Sequence, residues 1–259
     1  MLDVFSITIK AFQQDRMIRV YLPKSYQLGQ KKYPVLYMHD GQNVFRNDEA
    51  IGGVSLELEN YLDENCLELI VVAIDQNSRE RKNEYCPWAN GTYSKQFLEV
   101  DTASFGGNGA NYIEFIVEEL KPYIDRTYRT NQNHTAMAGI SMGGLITLYA
   151  GCRYPMIFKD LIVFSGAFYA NQEKIEELLK TADLSAIRSL YIDCGTNEGG
   201  IGTFISNEFL ASNQAVYDMV REKLPAVKFK VLAGQEHNYR SFQKRVPQLF
   251  SFINNEVRL

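Results

Sequence analysis

Thr135-Ala136-Met137-Ala138-Gly139-Ile140-Ser141-Met142-Gly143-Gly144-Leu145 is the stretch whose reading decides the fold. A short apolar run, Ala136 to Ala138, enters a G-x-S-x-G turn, and a long apolar helical pattern leaves it. The five-residue pattern is weak alone, and its setting between strand and helix sharpens it. Such a turn holds its serine under backbone strain with neighbouring chain close by, so side chains at 139 and 143 are expected to clash. The competing reading is a Gly-rich loop that cradles a phosphate at a helix start.

Outward from that turn, apolar strands and helical patterns alternate. Tyr33–Met38, Leu69–Ile74, Leu161–Phe164, Ser189–Cys194 and Val227–Leu232 read as strands. Leu69–Ile74 is apolar throughout, as a strand covered on both faces should be. Helices are expected over 56–65, 112–123, 172–181, 208–223 and 239–256, besides the one from the serine to Arg153. Ahead of them, Val4–Ile9 and Met17–Leu22 read as an antiparallel opening pair. This order predicts an α/β chain with a mostly parallel twisted sheet, helices on both faces and an antiparallel N-terminal pair. A strand–turn–helix serine in that frame is the nucleophile elbow of an α/β-hydrolase fold. One domain is expected over residues 1–259, with no linker or internal repeat.

Residues 76–111 break the rhythm. They are polar, carry Gly106-Gly107-Asn108-Gly109, and hold Tyr85, Tyr93, Phe97, Phe105 and Trp88, the one tryptophan of the chain. Long irregular stretches inside a domain usually serve function. This excursion is therefore the candidate pocket wall, with Trp88 and Tyr85 as substrate-binding residues.

The bulk numbers exclude several classes. The chain has 259 residues, 46% hydrophobic and 22% charged, with a net charge of −4. A nucleic-acid binder would normally show a basic patch. The cluster Arg79-Glu80-Arg81-Lys82 reads as solvated surface. No stretch approaches a membrane span, and the N-terminus lacks a signal-peptide pattern. Four scattered cysteines, Cys66, Cys86, Cys152 and Cys194, suit reduced thiols in a cytoplasmic protein. With three histidines far apart, no metal site is expected.

In such a sheet, active residues leave the carboxyl ends of strands. Ser141, Glu198 and His237 lie in three of those loops, in the order serine, acid, histidine. A serine hydroxyl needs a base to take its proton, which His237 can do, and a carboxylate fixes the tautomer of that histidine. Glu198, in a Gly-rich loop past its strand, is favoured as the acid on geometry, with Asp193, inside the strand, as the alternative. The oxyanion would meet the backbone N–H of Met142 and that of Gln42 or Gly41, with Gln42 chosen. His39, at a strand end, is the one rival base. A structural role is favoured for it, holding the oxyanion loop by a hydrogen bond, and His134 reads as surface.

Tyr37–Asn43, Asn83–Trp88, Gly139–Gly144, Asp193–Glu198 and Gly234–Tyr239 together resemble the putative esterase (esterase D-like) family. That family holds feruloyl esterases, S-formylglutathione hydrolases, siderophore esterases and mycolyltransferases. The likeness covers nearly the whole chain. It departs from the family where members often carry aspartate at Glu198, threonine at Cys86 and tryptophan at Tyr239, and none of these removes a catalytic group. The resemblance implies a cofactor-free serine esterase for small acyl, acetyl or feruloyl-type esters. Transfer to another alcohol, or siderophore or thioester hydrolysis, would use the same residues. A silent binding scaffold would typically lack the serine, the histidine or the elbow glycines. The expected partner is a small ester, not a nucleic acid or a membrane, and dimers are common among proteins of this kind.

Overall fold

The computed structural model describes residues 1–98 and 103–257. Eight strands form one sheet: β1 (Leu2–Ile9), β2 (Gln14–Tyr21), β3 (Tyr33–His39), β4 (Ile70–Ile74), β5 (Thr130–Ile140), β6 (Asp160–Phe164), β7 (Ser189–Asn197) and β8 (Val227–Glu236). Their order is β1-β2-β4-β3-β5-β6-β7-β8. β1 and β2 run antiparallel to each other, and β2 runs antiparallel to β4. All other pairs are parallel. This is the mostly parallel sheet with an antiparallel start that the sequence predicts.

Helices fill the crossovers. They are α1 (Leu58–Glu64), α2 (Arg81–Tyr85), α3 (Thr92–Leu98), α4 (Gly109–Phe115), α5 (Lys121–Thr127), α6 (Met142–Arg153), α7 (Gln172–Thr181), α8 (Phe204–Arg221), α9 (Tyr239–Gln243) and α10 (Val246–Val257). A π-helical turn, Ile116–Leu120, joins α4 to α5.

Strand alternation splits the core in two. Tyr37, Val72, Met137, Val163 and Ile192 face one side, where α4, α6 and α8 contribute Ile113, Ile146 and Val216. Met38, Val71, Ala138, Ile162 and Tyr191 face the other, against Leu58 and Leu62 of α1 and Phe250 of α10. Each fully buried aliphatic or aromatic side chain contributes about 1.5–3 kcal/mol relative to exposure. Both faces are covered, so the central strands read as continuous apolar runs.

The structure departs from the expected elements at several places, these three among them. The excursion at 76–111 contains α2 and α3, tied by an antiparallel bridge between Ala89 and Gly106; its residues 99–102 lie outside the described residues. The expected terminal helix 239–256 breaks after Gln243. Pro247 has no N–H to donate and fits only the first turn of a helix, so a new helix starts there. That break leaves Arg245 between the two helices. β7 and β8 both run past their expected ends, through a register shift between Gly195 and Asn197.

The parallel register gathers the strand ends at one edge. Ile140 pairs with Phe164, and Phe164 with Asp193. Asn197 pairs with Glu236, so the next residues, Glu198 and His237, leave the sheet side by side. Gly195 allows this approach, because a Cβ there would lie 2.2 Å from the Gln235 carbonyl oxygen.

Candidate active site

Ser141 follows the last residue of β5 and holds φ 61° and ψ −122°, a strained conformation for a residue with a side chain. Four hydrogen bonds impose it. The Ser141 amide donates to the Phe164 carbonyl at 3.0 Å, and the Ser141 carbonyl accepts the amides of Gly144, Ala167 and Leu145 at 2.9, 2.9 and 3.2 Å. A Cβ on Gly139 would lie 2.0 Å from the Gly143 carbonyl oxygen, so glycine is obligatory at 139. The clash expected at 143 is absent, since a Cβ there would meet His39 Cβ at 3.4 Å, an ordinary contact. The crowded second position is Gly144, where a Cβ would meet Val163 Cγ1 at 2.7 Å.

His237 and Glu198 meet directly. Glu198 Oε2 lies 2.6 Å from His237 Nδ1. The Glu198 side chain is fully buried, and that of His237 is 28% exposed. Phe209 and Phe242 flank the imidazole, with ring centroids at 5.1 and 5.3 Å. Glu198 Oε1 accepts the Ser165 hydroxyl at 2.5 Å and the Gly195 amide at 2.6 Å. Burial pushes this carboxyl up, but His237, Ser165 and Gly195 together outweigh it and hold the carboxyl below its ordinary range.

Asp193 does not reach His237. It is fully buried and accepts from Arg245 Nη1 at 3.0 Å, the Ser165 amide at 3.3 Å and the Tyr191 hydroxyl at 3.2 Å. Burial pushes its carboxyl up to about 6 against the pull of Arg245.

Ser141 and His237 line one cleft of about 260 Å³, together with Asp40, Arg81, Tyr239 and Phe242. No hydrogen bond joins Ser141 to His237 among the described residues. The amides of Met142 and Gln42 have no hydrogen-bond partner among those residues either. Met142 opens α6, whose first N–H groups point out of the helix end. Gln42 lies in the turn after β3, clipped by its side chain, whose Nε2 donates to the Gln76 carbonyl at 2.8 Å while its Oε1 accepts the Gln76 amide at 2.9 Å.

Asp40, one residue past β3, holds a left-handed φ of 59°. Arg81 clamps its carboxylate with Nε and Nη2 at 2.7 and 2.9 Å. Arg79 and Lys82 are exposed, as expected of their cluster, but Arg81 departs from it, because its guanidinium lines the cleft and is largely buried against Asp40. A basic cluster in a loop gives no hint of a carboxylate 41 residues earlier.

Tyr85 does not line the cleft. It is fully buried, and its hydroxyl accepts the Asp40 amide at 3.1 Å, so it supports the turn from beneath. Trp88 packs edge-on against Tyr149 at 5.3 Å and is not among the residues lining the cleft. Aromatic character alone does not separate packing from binding.

His39 is 3% exposed and bonds the Tyr112 hydroxyl through Nδ1 at 3.0 Å. That anchors the end of β3 to α4, a structural role, but the partner is Tyr112 and not the oxyanion loop expected of it. Burial lowers its pKa to about 4, with Arg81 adding to the effect and Asp40 opposing it. An unfolded histidine takes a proton below about 6.5, whereas the folded one resists until about 4. The stability that follows is complete above that upper value and is lost as the pH falls through the window, up to about 3 kcal/mol. His39→Gln is expected to flatten the acid side of a plot of thermal midpoint against pH between 7 and 4. An unchanged slope would remove His39 as its source.

Among the described residues, no group of three or more His, Cys, Asp or Glu side chains is placed to hold a metal ion. No helix among them is long and apolar enough to cross a membrane.

The chain is similar to several known proteins. The chain is 25% identical over 253 residues to the uncharacterized protein YbbA of Bacillus subtilis (strain 168), covering 94% of each. A solved ferulic acid esterase superposes with a TM-score of 0.72 at 21% identity, covering 98% of both chains. The siderophore hydrolase EstA from Aspergillus nidulans superposes with a TM-score of 0.77 at 17% identity, covering 96% of this chain and 94% of its own. The two superpositions show a shared fold, the α/β-hydrolase fold. The family model described as "Putative esterase" matches residues 9–255; the chain belongs to that family and is a carboxylic-ester hydrolase.

Proposed function

We propose that ester hydrolysis proceeds through an acyl-enzyme on Ser141, with His237 as general base and Glu198 as the carboxylate that fixes the imidazole. The observation that carries this reading is the 2.6 Å bond between Glu198 Oε2 and His237 Nδ1, with His237 and Ser141 lining the same cleft. With Nδ1–H donated to Glu198, Nε2 is left as the acceptor that a serine proton needs. Ser141 Oγ attacks the ester carbonyl as its proton passes to Nε2, and the carbonyl electron pair becomes an oxyanion. The amides of Met142 and Gln42 are the donors assigned to it. Collapse of the tetrahedral species expels the alcohol, which takes the proton back from Nε2. Water then repeats the sequence on the acyl-enzyme and releases the acid.

A cleft of about 260 Å³ suits a small acyl group, with Phe242, Tyr239 and Ile51 as its less polar side. The reading also places the enzyme in a reducing compartment, supported by four free cysteines, three of them buried. Purified protein assayed on p-nitrophenyl acetate, butyrate and octanoate, beside methyl ferulate, tests the substrate class. Acetate or butyrate is expected to give the highest kcat/KM. Preference for octanoate, or silence on all four with the protein folded, would reject it.

A further inference from the structure

Behind Glu198 lies a set of buried polar groups that the acyl-enzyme chemistry does not use. Arg245 is 1% exposed, a costly place for a guanidinium unless its charge is matched. Its Nη1 donates to Ser165 Oγ at 2.7 Å and to Asp193 Oδ1 at 3.0 Å, and its Nη2 lies 3.7 Å from Glu198 Oε1. Ser165 stands one residue past β6 at φ 47°, a left-handed position that a serine adopts at a cost. Its hydroxyl touches both Arg245 and Glu198.

The donor inventory gives these contacts a direction. A guanidinium only donates, so Ser165 Oγ must accept from Arg245. The single hydroxyl proton of Ser165 is then free for Glu198 Oε1, at 2.5 Å. With Oε1 committed to Ser165 and to the Gly195 amide, the carboxylate plane is fixed and Oε2 is the oxygen presented to His237. Charge follows the same logic. Arg245 stands between two buried carboxylates, Asp193 and Glu198, which without it would repel until one took a proton.

We propose that Ser165 and Arg245 are positioning residues of this esterase, an Arg245→Ser165→Glu198 relay that orients the acid toward His237, with Asp193 as the counter-ion that holds Arg245 in place. The proposal rests on the reading of Glu198 as the acid partner of His237. Its tests are two variants, Ser165→Ala and the pair Asp193→Asn/Arg245→Met. The pair removes both buried charges together, a change that commonly leaves stability intact.

Steady-state kinetics on a p-nitrophenyl ester and one-dimensional proton NMR are the readouts. In the wild type, the proton shared by His237 Nδ1 and Glu198 Oε2 is expected to give a far-downfield resonance. Both variants are expected to keep a cooperative thermal transition, lose kcat by about tenfold, the factor one net hydrogen bond is worth, and hold KM within about twofold. Both are also expected to lose or shift that resonance. A merely structural pair would instead recover wild-type kcat and resonance once both charges are gone. Wild-type kcat with an unshifted resonance in either folded variant overturns the relay. Should one variant fail to fold, the other decides. Glu198→Gln separates the two levels. If it is inactive while Ser165→Ala is fully active, only the relay fails; if it is fully active, the reading of Glu198 fails first.

Discussion

Ser141→Ala is expected to lower kcat on a p-nitrophenyl ester by roughly 10⁴- to 10⁶-fold while leaving the protein folded. The rate falls because the elbow, Gly139 to Gly144, carries no other hydroxyl. The fold survives because Ser141 acts structurally through its backbone. Its amide and carbonyl make the four bonds that hold the turn, and its Oγ has no hydrogen-bond partner among the described residues. Alanine at φ 61° is strained no more than serine, so the thermal midpoint should move by only a few degrees. Retained activity in a pure sample would move the nucleophile elsewhere.

Glu198→Gln has the second-largest expected effect, a kcat loss on the order of 10³- to 10⁴-fold with little change in KM. The local donors decide which way the new amide faces. Oε1 accepts from Ser165 and Gly195, both donors at that point, so the glutamine oxygen must sit there. Its NH₂ then faces His237 Nδ1 at the present 2.6 Å contact. The imidazole must accept at Nδ1 and carry its proton on Nε2, where it cannot take one from Ser141. Glu198→Asp keeps the charge but shortens the reach, so an intermediate rate is expected. A glutamine variant within tenfold of wild type would show that His237 finds its tautomer without the carboxylate.

Much of this arrangement is legible in the sequence because short-range patterns encode it. Apolar runs mark the strands, Gly139-Ile140-Ser141-Met142-Gly143 marks the elbow, and Glu198 and His237 follow strands that end in register. That Glu198 rather than Asp193 meets His237 is legible for a simple reason. A strand residue points into the packed sheet, whereas the residue after the strand is free to turn toward its neighbour.

The rest depends on contacts between residues far apart in the chain. Arg81 meets Asp40 across 41 positions, and Arg245 meets Ser165 across 80. Neither leaves a local pattern, and charged residues read from sequence default to the surface. The aromatic residues of the excursion are not sorted by sequence for a related reason, although Gln76 and Arg81 of the same stretch line the cleft. Burial and binding both favour tyrosine and tryptophan, and only the fold shows Tyr85 beneath the turn at Asp40 and Trp88 against Tyr149. Which elbow glycine is indispensable was likewise a matter of tertiary spacing, strict at 139 and relaxed at 143.

The central claim is that Ser141 carries the acyl group, and covalent trapping tests it most directly. Purified protein treated with a p-nitrophenyl phosphonate, a tetrahedral mimic that cannot be turned over, would be weighed intact and then as peptides. One phosphonyl group per chain on the peptide containing Ser141, absent from Ser141→Ala, is the predicted result. Ester hydrolysis that continues with Ser141 unmodified, or an adduct on another residue, would contradict it.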